Sequence, residues 1–91
     1  MALFEKEVEI TGGKKITVRN LNWEEIEKLE MQGVDLRAPG VPPAKAITKV
    51  LRTIGIPAEE LKQMRPGDVA KLYAEVINLS FADEAELKNS E

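Results

Sequence analysis

The chain contains no histidine and no cysteine among its 91 residues. These two side chains most often serve as general base, nucleophile or zinc ligand, so their absence removes the commonest routes to catalysis and zinc binding. A disulfide framework is also excluded, and reducing, intracellular conditions are the simplest expectation. We therefore predict a cytoplasmic protein that is not an enzyme and that needs no cofactor or metal.

Aromatic residues, basic blocks and long apolar runs are also scarce. Aromatic side chains make up 4% of the chain, so the core must be aliphatic. The 13 basic and 16 acidic residues give a net charge of −3, and no Lys/Arg block is long enough to follow a phosphate backbone. No apolar run approaches the ~18 residues of a membrane span. These features argue against partners such as nucleic acid or a membrane.

What is present is sufficient for one small domain. Hydrophobic residues make up 43% of the chain and charged residues 32%, which is typical of a sequence that folds around one modest core. We expect a single α+β domain over residues 1–81. Residues 82–91 are polar and acidic without an apolar stripe, and we expect them to form a frayed tail.

The first third of the chain predicts a β-hairpin. Residues 6–10 and 15–19 alternate between apolar and polar side chains, and Gly12-Gly13 lies between them. The apolar side chains must share one face, which predicts a three-residue loop over residues 12–14. The expected cross-strand pairs are Val8 with Val18 and Ile10 with Ile16.

A first helix is predicted to follow the hairpin, over residues 23–32. Asn22 and Glu25 have the spacing of a capping box, and Gly33 is suited to end the helix. We expect Trp23 to lie in the core, because a chain so poor in aromatic residues should use its one tryptophan to cover the sheet edge. Three prolines and two glycines then make residues 33–43 a loop, which we expect to pack on the body through its apolar residues, Val34, Leu36 and Val41.

Three more helices are predicted in the second half. One begins at Pro43 and ends at Gly55, where glycine, an apolar residue and Pro57 form a typical helix end. A short helix follows Pro57. Arg65-Pro66-Gly67-Asp68 then breaks the chain, and the last helix opens there, with Asp68 near its N-terminus, and continues to Phe81. The expected fold is α+β, with an N-terminal two-stranded antiparallel hairpin followed by about four helices in a small helical bundle.

The last helix carries the candidate partner-binding residues. Its apolar stripe extends past what one small domain easily covers, which favours docking of a protein partner or homo-oligomerisation. We predict that five of its residues contact the partner: Val69, Leu72, Val76, Leu79 and Phe81.

No catalytic or metal motif competes with this interpretation. The carboxylates fall mostly on helix surfaces beside Lys or Arg, where their pKa values should stay low. Asp83, Glu84 and Glu86 lack the frame of a calcium loop. Gly12-Gly13-Lys14-Lys15 lacks the Walker spacing and does not precede a helix, so a turn is the better interpretation.

The order of the elements resembles a known family. The segment Ile16-Thr17-Val18-Arg19-Asn20-Leu21 leads into an acidic helix, a Pro-rich loop follows, and Pro66-Gly67-Asp68 opens a helix that ends Val76-Ile77-Asn78-Leu79-Ser80-Phe81. Over residues 5–81 this arrangement is similar to the small tail assembly chaperones of long-tailed phages and prophages.

The resemblance implies a protein-binding role in virion assembly, in the host cytoplasm if the gene belongs to a prophage. Such chaperones bind the tape-measure protein, keep its hydrophobic helices soluble and help to recruit tail-tube subunits. Two alternatives remain open: a structural, tail-associated virion protein, and a bacterial protein-protein adaptor unrelated to phage.

Overall fold

The computed structural model describes residues 4–36 and 42–82. Two antiparallel strands, β1 (Glu5–Glu9) and β2 (Lys15–Arg19), form a hairpin. Four helices follow it: α1 (Trp23–Met31), α2 (Ala44–Thr53), α3 (Ala58–Lys62) and α4 (Pro66–Phe81). The predicted α+β class, a hairpin followed by four helices, is confirmed. Of the frayed tail expected over residues 82–91, only Ala82 is described: it ends α4, its N–H donates to the carbonyl of Asn78 over 2.9 Å, and it is half-buried against the core, while residues 83–91 lie outside the described residues.

The hairpin has its predicted face but not its predicted register. Val8, Ile10, Ile16 and Val18 are all buried, as expected. However, Val8 lies opposite Ile16, so the prediction that it pairs with Val18 is wrong by two residues. A shift of two leaves the same side chains on the same face, and the alternation could not distinguish the two registers.

A longer loop causes the shift. Ile10 belongs to the loop rather than to β1, and its N–H donates to the carbonyl of Lys14 over 2.8 Å. Between them, residues 11–13 form one 3-10 turn in which Gly12 and Gly13 have φ of +88° and +80°. Both glycines therefore adopt a backbone conformation that other residues rarely enter.

The helix ends follow the predicted signals. Asn22 caps α1 through the amide of Glu25 (2.8 Å), and the Glu25 carboxylate accepts in return from the amide of Asn22 (3.0 Å). After α2, Gly55 has φ of +106° and the N–H of Ile56 donates to the carbonyl of Leu51 over 3.1 Å. This is the Schellman arrangement expected from the sequence.

The core lies where α4 packs against both strands and against α2, with α1 and α3 closing it on the α2 side. Its buried side chains are aliphatic among the described residues, as the composition predicts. The loop after α1 contributes Val34 and Leu36, both buried, which confirms for these two the prediction that it packs on the body. Val41, the third expected contact, lies outside the described residues.

The prediction that Trp23 lies in the core is wrong, because 61% of its surface is exposed. The buried side of α1 is set by Ile26 and Leu29, and Trp23 lies about 90° around the helix from the midpoint between them. Leu21, just before the cap, is buried instead. It stands at the position from which a side chain can contact the fourth residue of the helix, Ile26.

Candidate docking groove on helix α4

Helix α4 presents three different sides. One side buries Leu72, Val76 and Leu79 in the domain's own core, with exposed fractions of 0%, 0% and 7%. In the folded domain a partner cannot contact these three residues, although the sequence places them in the partner-binding set. Of the other two residues of that set, Val69 is half-buried and Phe81 is 42% exposed.

A second side of α4 holds the hairpin by polar contacts. The Asp68 carboxylate accepts from the backbone and hydroxyl of Thr11, Lys71 donates to the carbonyl of Glu9 over 2.8 Å, and Glu75 forms an ion pair with Lys6 at 2.6 Å. All of the charged side chains of α4 lie on this side. They fix α4 against the hairpin, and the third side of the helix is left without charge.

The third side, away from the hairpin contacts, is open. Its residues recur at the i, i+3, i+4, i+7 and i+11 spacing of one helix face. Three of them are exposed, and Tyr73 and Ile77 are half-buried at the edge of the core: Ala70, Tyr73, Ala74, Ile77 and Phe81. This stripe can be read from the sequence, but the more apolar core stripe on the same helix masks it. It is therefore the part of the site that sequence reasoning missed.

An apolar groove runs along this open side, between α4 and the start of α2, and we call it the α2–α4 groove. Its wider part, about 670 Å³, lies among the ends of three helices and is lined by Pro42, Ala44, Ile47, Thr48, Leu61, Lys62, Met64, Pro66, Gly67, Val69 and Ala70. Its narrower part, about 440 Å³, shares Pro42, Ile47 and Ala70 and continues past Tyr73 and Ala74 to Ile77 and Asn78.

Small residues open the groove. Ala44 on one wall and Gly67, Ala70 and Ala74 on the floor have side chains too short to fill the space between α2 and α4. From Gly67 to Asn78 the floor covers eleven residue steps, or about 17 Å of helix. The groove is therefore long enough to hold about three turns of a second helix.

The charge around the groove has one predominant sign. Lys62 is the one charged side chain in the described lining. On α2, which has no acidic residue, the exposed Lys45 lies next to the lining residue Ala44. The other two exposed cations of α2, Lys49 and Arg52, line a separate hollow with Gln32 and Thr53, on the side toward the end of α1. Within the described parts of the chain, none of these four cations joins an ion pair, whereas Lys6, Lys14, Arg19 and Lys28 all do.

The narrow part of the groove contains one phenol, that of Tyr73. Burial raises the pKa of the Tyr73 phenol above its ordinary value, and the charge of Asp35 raises it further. The phenol is therefore neutral at physiological pH. Lys62, in the lining, and Lys45, next to Ala44, lie at the wide end of the groove.

The exposed aromatic residues lie on chain segments that meet at the end of the domain where β2 leads into α1. Asn20 exchanges hydrogen bonds with Phe4, and the amide of Leu21 donates to Ser80, the neighbour of Phe81, over 2.9 Å. These contacts bring together the backbone segments that carry three exposed aromatic residues: Phe4, Trp23 and Phe81, with exposures of 36%, 61% and 42%. We call this surface the aromatic end.

The other polar contacts described below join one element of the domain to another. The least exposed charged pair among the described residues joins Arg19 and Glu25 through two bonds of 2.9 Å, and this hydrogen bonding lowers the pKa of the Glu25 carboxyl despite its partial burial. A second cluster, formed by Thr11, Arg65 and Asp68, ties the hairpin loop to the start of α4. Residues 4–36 and 42–82 contain no group of three potential ligands that could hold a metal ion.

No family model, curated protein or solved structure gives a significant match to this chain. The groove and the aromatic end are therefore interpreted from their own geometry. Among the described residues, no helix combines the length and the apolar character that crossing a membrane would require.

Proposed function

We propose that this chain is a non-enzymatic binding protein that acts as a tail assembly chaperone, and that the α2–α4 groove holds an amphipathic helix of its client. The observation that carries the proposal is the uncharged, open side of α4, from Ala70 to Phe81, beside a groove about three helical turns long. An apolar helix face placed in an apolar groove is a common mode of peptide recognition.

A helix is the occupant that fits this shape best. Ala70 and Ala74 on the floor allow a second backbone to approach closely, while Ile77 and Met64 offer larger apolar contacts at either end. An extended strand would instead need a free sheet edge, and the groove is built from helices and their connections. The tape-measure protein, whose long helices a tail chaperone keeps soluble, supplies this kind of segment.

The aromatic end supports a second contact. Trp23 is the type of residue that dominates protein interfaces, and here its indole is mostly exposed rather than used in the core. Its surface is formed by β1, the β2–α1 junction and the end of α4, whereas the wide part of the groove is formed by α2, α3 and the start of α4. A chaperone that binds a tape-measure helix and recruits a tail-tube subunit needs two such surfaces.

The test is copurification of the chain with the products of its neighbouring genes, repeated with Ala74→Glu. Ala74 is exposed, so the substitution adds charge to the groove without opening the core. Met31→Glu is the matched control, because Met31 is an 87% exposed helical residue on α1 and the substitution adds the same charge outside the groove. We expect a long helical partner to copurify with the parent chain and Met31→Glu, and to be lost with Ala74→Glu.

Two other results would replace the proposal. Retention of the chain in finished tail particles would favour a structural virion protein, because a chaperone leaves before assembly ends. Copurification with proteins unrelated to tails would favour a bacterial adaptor. Binding that Ala74→Glu leaves unchanged would exclude the groove as the docking site.

A further inference from the structure

We infer that the helix held by the α2–α4 groove carries acidic residues along the flank that faces α2 and α3. This inference rests on the proposed docking groove and adds the chemical class of its occupant. It follows from the distribution of charge around the groove, whose described lining contains the cation Lys62 and no carboxylate.

The cations beside the groove are available to a partner. Lys62 lines the groove and Lys45 lies next to its lining residue Ala44. Both are exposed, and neither joins an ion pair with another described residue. A partner carboxylate beside Lys45 or Lys62 would therefore displace water rather than an existing acidic partner.

The start of α2 adds to the positive potential. Its N-cap residue is Pro43, no side chain caps the helix, and its first turn contains Lys45 but no acidic residue. The helix dipole contributes partial positive charge at this end, beside the wide part of the groove. The dipole supports the inference, but the main evidence for it is the groove and the unpaired cations.

The distribution of charge also places the acidic flank of the occupant. Lys62 lines the wide part of the groove, and Lys45 lies in the first turn of α2 next to Ala44, which lines the same part. The acidic flank of the bound helix should therefore lie toward Lys45 and Lys62, over the wide end.

The probes are two synthetic helical peptides of about 18 residues with the same apolar stripe, one flanked by Glu and the other by Lys. Their affinities for the full chain are measured by fluorescence anisotropy at low salt and at high salt. The chain has a net charge of −3, which taken alone would favour the basic peptide. Preference for the acidic peptide would therefore report the local charge of the groove.

We expect the acidic peptide to bind about 2- to 30-fold more tightly at low salt, the range given by two exposed ion pairs, one with Lys45 and one with Lys62. The difference should shrink at high salt, because exposed charges are screened. Lys45→Glu combined with Lys62→Glu should reverse the preference. Lys15→Glu combined with Lys28→Glu makes the same change in net charge on the hairpin and α1, and it should leave the acidic preference in place.

The outcomes distinguish failure of this inference from failure of the docking-groove proposal on which it rests. If both peptides bind equally, or the basic one more tightly, and Ala74→Glu abolishes the binding, then the groove holds a helix and the inference about charge is wrong. If neither peptide shows binding that depends on Ala74, then the docking groove itself is wrong and the inference fails with it. An acidic preference that the Lys45/Lys62 variant leaves unchanged would also overturn the inference.

Discussion

Removal of the Glu25 carboxylate by Glu25→Ala should cost more stability than its place on a surface helix suggests. This one carboxylate accepts two bonds of 2.9 Å from Arg19 and one of 3.0 Å from the amide of Asn22, so it joins β2 to α1 and closes the capping box. The side chains of Arg19 and Glu25 are only 22% and 19% exposed. Without Glu25, the guanidinium retains contacts to the carbonyls of Asn20 and Thr53.

The expected loss is about 3 kcal/mol. Hydrogen bonds to charged groups contribute about 1.5–3 kcal/mol, and half of a capping box contributes about 0.5–1 kcal/mol. For a domain of this size, about 3 kcal/mol lowers the melting temperature by roughly 12–24 °C. The measurement is urea unfolding followed by far-UV circular dichroism. Fluorescence is a poor probe, because Trp23 is already mostly exposed in the folded state.

The neighbouring residue provides the control. Glu24 pairs with Lys28 at 3.3 Å, but these side chains are 77% and 67% exposed, so Glu24→Ala should cost no more than about 0.5 kcal/mol. A loss for Glu25→Ala as small as the loss for Glu24→Ala would refute the reasoning. It would mean that the Arg19 pair contributes no more than an exposed pair.

The pKa of Glu25 predicts how this loss depends on pH. Hydrogen bonding to Arg19 holds the folded-state pKa of the carboxyl below its ordinary value of 4.5. The stabilisation is therefore present above about pH 4.5 and is lost as the pH falls through the lowered value. The difference in unfolding free energy between the parent chain and Glu25→Ala should narrow below pH 4.5. A difference that stays constant on acidification would show that the ionised form is not the source of the stability.

Three further predictions test the core, the exposed tryptophan and the helix ends by urea unfolding. Leu72→Ala should cost about 2–5 kcal/mol, because the side chain is fully buried between α4 and its neighbours, and a smaller loss would contradict its place in the core. Trp23→Ala should cost less than about 1 kcal/mol, and a larger loss would mean that the indole packs on the body. Gly55→Ala should destabilise the domain by about 1–2 kcal/mol, because Gly55 has φ of +106°. Gly67→Ala should be neutral or stabilising by up to about 1 kcal/mol, because Gly67 lies in helical backbone with open space around it. Equal effects of the two substitutions would exclude the left-handed backbone as the cause.

The hairpin shows how far alternation alone could predict the fold. It assigned Val8, Ile10, Ile16 and Val18 to the buried face correctly, because the face depends only on odd or even position. It could not give the register, because a shift of two residues preserves every face. The loop decided the register. It contains a 3-10 turn with two glycines at positive φ, and it is longer than the three-residue loop expected from the sequence.

Trp23 was wrongly placed for a different reason. Its prediction used size and scarcity, whereas burial on α1 depends on angle around the helix relative to Ile26 and Leu29. The sequence also offered another residue for the buried position. Leu21 immediately precedes the cap, and a side chain at that position can contact the fourth residue of the helix. Local geometry therefore outweighed the general preference of large aromatic residues for the core.

The candidate site was harder to predict than the fold, because a groove forms on a helix face that no other element covers. The sequence showed that α4 has more apolar surface than one core needs, and it assigned the excess to the more apolar stripe, with Leu72, Val76 and Leu79. The structure buries that stripe and leaves the smaller, uncharged one beside α2. Burial of the larger side chains, Leu72, Val76 and Leu79, is the stronger effect, and the contacts of Asp68, Lys71 and Glu75 with the hairpin are compatible with the same helix rotation.

That division of α4 explains why the groove can be tested without unfolding the domain. Its core side and its polar side hold the helix in place, so a charge added at Ala74 meets solvent and the groove rather than Val76 or the hairpin. A charge at Leu72 or Leu79 would instead be forced into the core, and loss of binding would then report unfolding. Variants on the open side therefore separate recognition from stability, and a folded Ala74→Glu chain that still binds its client would place the docking surface elsewhere on the domain.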